Sequence, residues 1–185
     1  MSEISDVELV NQFKRPETKQ LAFKLILEKY QRKVYWQVRR IVINHDDADD
    51  VVQNTFIKVW EKLNDFRADS KLFTWLFRVA TNEALAFLQK KKANQNVSME
   101  DMLEKMGEQL TASTYFDGNK LELTLQRAIL TLPNKQRLVF NMKYYENLKY
   151  EEMEAILGTS VGALKASYFH ATKKIEEFVK RSLNA

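Results

Sequence analysis

The chain has 185 residues with no cysteine, four glycines, two prolines and a net charge of +4. The absence of cysteine excludes disulfide frameworks, thiolate zinc sites and cysteine nucleophiles, and no apolar run is long enough to cross a bilayer. The first ten residues, MSEISDVELV, are acidic and do not resemble a basic signal sequence. We therefore expect a cytoplasmic protein without membrane insertion.

The distribution of charge predicts the domain organisation. Residues 1–93 carry 17 Lys and Arg against 13 Asp and Glu, residues 94–120 carry 2 against 5, and residues 121–185 carry 10 against 7. The scarcity of glycine and proline and the lack of alternating apolar runs predict an all-α protein. We expect two small helical domains, residues 1–93 and 121–185, that face nucleic acid and are joined by a flexible linker, residues 94–120.

The N-terminal block begins with two amphipathic segments. Apolar residues spaced three apart predict a short helix from Asp6 to Phe13, which Pro16 ends. Apolar positions then keep a helical rhythm from Thr18 to about Val42, which predicts a long second helix.

The segment HDDADDVVQNTFIKVWEKL predicts a third helix, whose start Asp46 and Asp47 are expected to cap and to charge. One side of this helix is apolar, and the other carries Asp50, Gln53, Asn54, Ile57 and Glu61. Ile57 lies in the middle of the polar side. It is either a scattered surface residue or the anchor of a partner-docking face. A metal site is the weaker interpretation of the aspartates, because helix-start chemistry explains most of them.

Residues 64–71, NDFRADSK, lack an apolar rhythm and predict a loop. The loop leads into LFTWLFRVATNEALAFLQKKK, a helix rich in aromatic rings. Most of these rings are expected in a core, although a polar loop beside rings and cations is also how proteins hold unstacked bases. The three lysines at the helix end, Lys90, Lys91 and Lys92, either complement the helix dipole or contact DNA.

The linker and the second block contain further helix signals. Ser98 and Asp101 fit a capping box for one short helix within the linker. Helices are then predicted from Leu121 to Thr131 and from Lys135 to Tyr145, on either side of the breaker Pro133.

The stretch from Leu148 to Ile175 predicts two helices joined by a tight turn. The first spans about Tyr150–Leu157, Gly158 closes it in the left-handed conformation, and Ser160 caps the second. The outward face of the second helix is small, aromatic or basic, as expected of a DNA reader in the major groove. An ordinary helical hairpin with a solvated face is the alternative.

In this order, the segments resemble the extracytoplasmic-function group of bacterial RNA polymerase sigma factors over nearly the full chain. DADDVVQNTFIKVW resembles the region-two helix that docks on core polymerase, and FTWLFRVATNEALAFL resembles the segment that melts and reads the minus-ten element. LPNKQRLVF and the helix-turn-helix resemble the region-four domain that reads the minus-thirty-five element.

The resemblance implies roles for individual residues. It implies that core polymerase is contacted at Asp50, Gln53, Asn54, Ile57 and Trp60, with the Phe56 and Trp60 rings packing. It implies contacts near the melted minus-ten strand from Arg67, Ser70, Lys71, Trp75, Arg78, Asn82 and Lys90. It implies contacts to the minus-thirty-five element from Arg137, Ser160, Val161, Gly162 and Lys165. The outward face of the last helix adds Ala163, Ala166, Phe169, His170 and Lys173 as expected contacts.

The chain departs from the pattern of the group in the last two helices. Ala163-Leu164 stands where Thr-Val is frequent, and Ser167, His170 and Thr172 stand where Arg is frequent. The forked guanidinium groups of arginines read guanine and bind phosphates. Their absence here predicts a recognition helix that is less cationic. Lys149 also replaces a common capping Ser, and Glu154 replaces a small residue.

The resemblance implies a transcription initiation subunit that is not an enzyme. Its implied partners are core RNA polymerase, promoter DNA and an anti-sigma factor, with no cofactor. A stand-alone helix-turn-helix regulator is the alternative function. An enzyme finds little support in the residues, because the only histidines, His45 and His170, are far apart and no Gly-rich phosphate loop exists.

Overall fold

The structure, a computed structural model, describes residues 4–95 and 120–183. These residues form eight α-helices and no strand, so the predicted all-α fold is confirmed. Contacts divide the chain into two units, with the boundary between Leu88 and Gln89. Nearly all of the predicted linker, including the helix predicted at Ser98–Asp101, lies outside the described residues. The linker and the domain limits therefore stay predictions.

The first unit is built on a long central helix. Its elements are α1 Asp6–Phe13, α2 Lys19–Val42, α3 His45–Lys62, one turn of 3₁₀ helix at Leu63–Asp65, and α4 Leu72–Gln95, which continues past the boundary at Leu88. Helix α2 packs against α1 and α3. The hydroxyl of Tyr30 donates to the Asp6 carboxylate at 2.7 Å, and Lys29 pairs with the same carboxylate at 3.0 Å, which fastens α1 to α2.

The interior of the first unit is apolar with one polar bridge. Gln37 of α2 is buried and donates to the Thr81 hydroxyl of α4 at 3.5 Å. The largest fully buried side chains of this unit include Phe13, Ile26, Ile41, Leu72, Leu76 and Phe77. Because every exposed face of α3 and α4 is backed by this core, their surface side chains are held at fixed positions.

The start of α3 differs from the prediction. The helix begins at His45, and the side-chain oxygen of Asn44 accepts the backbone N–H of Asp47 at 2.9 Å. The predicted capping by Asp46 and Asp47 is therefore wrong, whereas the prediction that they charge the start of the helix is confirmed. Both residues lie in the first turn instead, where their negative charge complements the helix dipole.

The second unit is a four-helix arrangement around its last helix. Its elements are α5 Lys120–Leu130, α6 Asn134–Tyr144, α7 Tyr150–Leu157 and α8 Val161–Leu183. Helix α8 packs against α5, α6 and α7. The predicted boundaries of α5 to α7 agree with the structure to within one residue at each end. The buried cluster consists of Ala128, Ile129, Leu132, Phe140, Ala171 and Ile175.

The turn between α7 and α8 has the predicted geometry. Gly158 adopts φ 64° and ψ 25°, and its N–H donates to the Glu154 carbonyl at 2.8 Å. This is the left-handed closure that glycine adopts without steric cost. The Ser160 hydroxyl accepts the Ala163 N–H at 3.4 Å and so caps α8. At the start of α7, the Glu152 carboxylate accepts the Lys149 N–H at 3.0 Å in place of a capping hydroxyl.

Candidate partner-binding and nucleic-acid surfaces

One face of α3 is exposed and polar with a single apolar residue. Ile57 is 50% exposed, and the predicted neighbours Asp50, Gln53 and Asn54 are exposed around it. The opposite face of α3 is buried in the core and includes Val51, Val52, Thr55, Phe56 and Val59. The half-exposed side chain of Ile57 stays in contact with water until a partner covers it. Because burial of apolar surface favours binding, this face is suited to docking a partner protein.

Trp60 lies at the edge of the exposed face of α3 and is held by contacts with neighbouring rings. Its ring lies edge-on to Phe13 at 5.3 Å and to Phe23 at 5.0 Å between ring centroids. The Lys19 ammonium lies 4.5 Å from the centroid of the Trp60 ring. Trp60 is therefore half-buried and held by these ring and cation contacts.

The loop before α4 is held at two points. Phe66 is buried against Trp75, with ring centroids 5.4 Å apart, and Lys14, which follows α1, donates to the Phe66 carbonyl at 3.3 Å. Ala68 follows with a positive φ of 59°, a strained angle for a residue with a Cβ atom. The loop is thus fixed by the core at one end and bends sharply before α4.

Four of the predicted minus-ten residues share one side of α4 and the residue before it. Arg67, Lys71, Arg78, Asn82 and Lys90 are exposed, whereas Ser70 and Trp75 are half-buried. At 100° per residue, Lys71, Trp75, Arg78 and Asn82 fall within about a quarter turn of α4. An ion pair between Lys58 of α3 and Glu83 joins the two helices beside this stripe. The stripe offers cations and an amide next to an aromatic ring.

The outward face of α8 agrees with its predicted composition. Gly162, Ala163, Lys165, Ala166, Phe169, His170 and Lys173 are all exposed, as is the capping Ser160. Phe169 is 54% exposed, the Lys173 ammonium lies 4.8 Å from its ring centroid, and the His170 ring meets it edge-on at 5.7 Å. The N-terminal end of this face is small, while its middle is broad and aromatic.

Two further findings concern metal ions and membranes. Among the residues that the structure describes, no group of three or more His, Asp or Glu side chains is arranged to hold a metal ion. Within those same ranges, none of the helices is long and apolar enough to span a membrane.

Comparison with known proteins identifies the family. The family model for Sigma-70 region 2 matches residues 26–94, and the model for Sigma-70 region 4 matches residues 122–175. The ECF RNA polymerase sigma-E factor of Escherichia coli K12 is 32% identical, with 97% of each chain covered. The chain belongs to the extracytoplasmic-function family of RNA polymerase sigma factors. As a sigma factor, it directs promoter-specific initiation of transcription by RNA polymerase.

Other relatives of this sigma factor are also sigma factors. The RNA polymerase sigma-H factor of Pseudomonas aeruginosa is 28% identical over 96% of this chain and 95% of that protein. Two solved structures share the fold. One, CnrH in complex with the cytosolic domain of CnrY, has a TM-score of 0.70 and 24% identity over 95% of this chain and 97% of its own. The other, RpoE with the anti-sigma factor NepR from Bartonella quintana, has a TM-score of 0.67 and 22% identity over 85% of this chain and 96% of its own.

One predicted DNA-contacting residue of the sigma factor lies in the interior. Arg137 is only 3% exposed, and burial lowers the pKa of its guanidinium from its ordinary value to about 10. One guanidinium nitrogen donates to the Asn134 side chain at 3.2 Å, while the other terminal nitrogen has no partner among the described residues. A side chain in this position does not reach a DNA duplex, so we remove Arg137 from the predicted surface. A charged residue is expected at the surface. The packing of α6 instead buries the Arg137 side chain.

The sequence analysis also missed a group of residues beside α8. Lys143, Tyr144, Tyr150 and Tyr168 come from three helices and meet near Lys165. Each looks unremarkable on its own helix, and only the packing of α6 and α7 against α8 brings them together. A signal was present in the sequence, namely the four tyrosines between residues 144 and 168 of the helix-turn-helix block.

Proposed function

We propose that the exposed face of α3 is the site at which this sigma factor binds core RNA polymerase. The observation that carries this proposal is the half-exposed Ile57 at the centre of a face formed by Asp50, Gln53 and Asn54. Interfaces concentrate their binding energy in a few central apolar residues, which polar neighbours shield from water. Trp60 is half-buried and contributes by holding α3 against α1 and α2.

The loop at residues 66–71 and the adjoining stripe of α4 receive the unpaired minus-ten bases. Single-stranded bases are bound through stacking on rings and through cations that follow the backbone. Trp75 supplies a half-buried ring, Arg67, Arg78 and Lys90 supply exposed cations, and Asn82 supplies an amide that can pair with a base edge. Lys71 and Ser70 lie where the loop enters α4 and contribute polar groups there.

Helix α8 reads the minus-thirty-five element from the major groove. The small residues Gly162, Ala163 and Ala166 allow the helix to approach the base edges closely, and Ser160 lies at its start. Further along, Lys165, His170 and Lys173 supply donors, and Phe169 supplies an apolar surface for a thymine methyl group. We call α8 the recognition helix from here on.

The proposed sigma factor performs no covalent chemistry of its own. It supplies binding surfaces, and the polymerase catalyses RNA synthesis. An anti-sigma factor that covers one of these surfaces would keep it inactive, as the solved complex of RpoE with NepR suggests by likeness of fold. We expect the protein in the cytoplasm, where the chromosome and the polymerase lie.

Run-off transcription with purified core polymerase tests the proposal. The promoter is obtained by selecting a random duplex pool with the reconstituted holoenzyme. We expect transcripts that start at a fixed point and that require both the protein and the selected sequence. Initiation from that sequence by core polymerase alone, at the same rate, would overturn the proposal.

Two variants assign the DNA surfaces separately. Asn82→Ala is expected to reduce open-complex formation on duplex promoters and to have a smaller effect on a promoter whose minus-ten region is already unpaired. Ala163→Glu, on the recognition helix, is expected to weaken binding to both templates because it places a carboxylate near the phosphates. Equal effects of Asn82→Ala on every template would contradict its assignment to the minus-ten bases.

A further inference from the structure

Two consecutive helices of the first unit carry charges of opposite sign. From Lys29 to Ile43, the second half of α2 and the residue after it have five lysines and arginines and no acidic residue. Helix α3 has five acidic residues against two lysines. None of these charged side chains is buried. The first unit therefore presents a basic surface on α2 in addition to the acidic surface of α3.

An exposed tryptophan lies at the centre of the basic surface of α2. Trp36 is 40% exposed, and residues three and four positions away are its neighbours on the helix surface. All four of these neighbours are cations, namely Arg32, Lys33, Arg39 and Arg40. We call these five residues the basic face of α2. Tryptophan and arginine are residue types that dominate the binding energy of protein interfaces, so this face is suited to docking a protein.

The Trp36 ring is held in place by its neighbours. It lies edge-on to the Tyr35 ring, with centroids 5.4 Å apart and planes 76° apart. The Tyr35 hydroxyl is hydrogen-bonded to Nδ1 of His45, the first residue of α3, at 2.8 Å. Because the position of Trp36 is fixed before any partner arrives, little side-chain freedom is lost when a partner covers it.

Charges on both surfaces are available to a partner. Within the described ranges, Arg32 and Arg39 of the basic face form no ion pair with a carboxylate. Across the same part of the chain, Asp50 and Glu61 on the exposed face of α3 form no ion pair with a cation. The single chain therefore leaves charges of both signs unpaired on two exposed faces.

We propose that the basic face of α2 binds the exposed face of α3 on a second copy of this chain. The two faces are complementary, because each has one partly exposed apolar residue, Trp36 or Ile57, among charges of one sign. In the contact the Trp36 ring covers Ile57, and the arginines around Trp36 pair with the carboxylates around Ile57. Since the two faces differ, the contact is head-to-tail, and one chain can bind two others.

A second copy fits the basic face better than other polyanions do. An acidic strand of nucleic acid would neutralise the arginines, but it would leave the exposed face of α3 without a partner. A second copy supplies both the carboxylates and the apolar Ile57 side chain that the basic face requires. One contact between copies therefore covers the two exposed apolar residues at once.

Association between copies has a consequence for the binding of polymerase. The contact covers Ile57, which is also the centre of the proposed polymerase site. Self-association and polymerase binding therefore compete, and an associated chain is withheld from the polymerase. This consequence rests on the proposed function of α3, whereas the contact between copies does not.

The first test is sedimentation equilibrium of the full-length protein over a range of concentrations. In low salt we expect the weight-average mass to rise with concentration beyond that of two chains, because a head-to-tail contact does not stop at a dimer. Salt screens the ion pairs, so raising it from about 0.05 M to about 0.5 M should increase the dissociation constant on the order of tenfold.

The second test mixes two variants that each lose one face. Trp36→Glu removes the anchor of the basic face, and Ile57→Glu removes the anchor of the exposed face of α3. Each variant alone should be monomeric. An equimolar mixture should form dimers and nothing larger, because each partner supplies the one face that the other lacks. The matched control is Leu21→Glu, at an exposed position of α2 outside the basic face, which should associate like the wild type.

Core polymerase provides a further measurement. Trp36→Glu keeps the exposed face of α3 and should co-purify with core polymerase as well as the wild type does. Addition of core polymerase to the associated wild type should return the chains to a one-to-one complex with polymerase. Circular dichroism of each variant checks that its helices are intact.

The outcomes separate this inference from the proposed function. A wild-type chain that stays monomeric at every concentration in low salt would overturn the inference, as would a variant mixture that forms no dimer. If Ile57→Glu alone still associates like the wild type, the basic face does not bind α3, and the inference is also overturned. If Ile57→Glu abolishes self-association but keeps full binding to core polymerase, the inference stands and the proposed polymerase site fails.

Discussion

The exposed face of α3 is acidic around one apolar residue, whereas the exposed face of the recognition helix combines small residues, rings and lysines. Both helices bury their other side in a core of similar composition. The contrast therefore lies in the partner, not in the folding requirement. A protein partner is bound mainly by covering apolar surface, while DNA is bound mainly by neutralising phosphates. Salt should consequently affect the second surface much more than the first.

The largest effect is expected from Ile57→Glu. A charge at the centre of a docking face loses the apolar contact and must be desolvated, so binding to core polymerase should weaken by at least about 2 kcal/mol, roughly 30-fold. Co-purification with core polymerase measures this loss, which should change little with salt. The matched control is Leu21→Glu, an exposed leucine of α2 that is 58% exposed and outside the proposed face. Equal binding by both variants would return Ile57 to the class of scattered surface residues.

Arg137→Met tests whether the buried guanidinium of Arg137 lies outside the DNA-binding surface of the recognition helix. The change should leave promoter binding and its salt slope, the slope of log affinity against log salt, unaltered, and at pH 7 the free energy of unfolding should stay the same or rise, because a buried charge with an open donor is costly. Lys165→Gln provides the contrasting loss of salt slope. A clear fall in slope for Arg137→Met would show that Arg137 reaches DNA after all.

The buried Arg137 also predicts a pH dependence. Its pKa is lowered to about 10 in the folded protein, so between this pH and the higher ordinary pKa of a guanidinium the unfolded chain binds more protons than the folded one. Stability from this group therefore rises with pH, by up to about 1.4 kcal/mol per pH unit. Urea unfolding of wild type and Arg137→Met at pH 7 and near pH 11 should show the wild type gaining relative to the variant. A constant difference between the two proteins would contradict the lowered pKa.

Substitution of two glycines by alanine tests the geometry of the turn between α7 and α8. A Cβ atom at Gly158 or Gly162 would meet no atom within 4 Å, but only Gly158 has a positive φ, 64°. Gly158→Ala should lower the unfolding free energy of this unit by about 1 kcal/mol. Gly162→Ala, inside α8, should raise it by roughly 0.5–1 kcal/mol. Thermal unfolding followed by circular dichroism measures both, and effects of the same sign would contradict the turn geometry.

The smallest effect is expected at the minus-ten loop of the first unit. Ala68 has a φ of 59°, so Ala68→Gly removes backbone strain and adds entropy to the unfolded chain. The net gain should be about 0.5 kcal/mol. Ala86→Gly, at an exposed position inside α4, should instead lower stability by about 1 kcal/mol. A loss of stability in Ala68→Gly, measured by urea unfolding, would show that the loop does not hold this angle.

Local features were predictable because they depend on neighbours in the chain. Apolar spacing predicted α1, α2 and the helices of the second unit, and Gly158 and Ser160 marked the turn between α7 and α8. The same spacing predicted that Ile57 and Phe169 would be exposed, since a helix places each residue 100° from the last. The start of α3 was predicted less well. Asn44, Asp46 and Asp47 are all good caps, and only the hydrogen bond to Asn44 shows which one the helix uses.

The sequence by itself determined the fold class, the family and the order of the surfaces, because helical periodicity and turn formation depend on residues close together in the chain. Only the tertiary structure decided that Arg137 is buried and that Lys143 and Tyr150 meet Lys165. Burial and contact between helices depend on how α6 and α7 pack against α8, and this packing brings together residues up to 22 positions apart in the chain. A charge in a sequence predicts a solvated side chain until the packing around it is known.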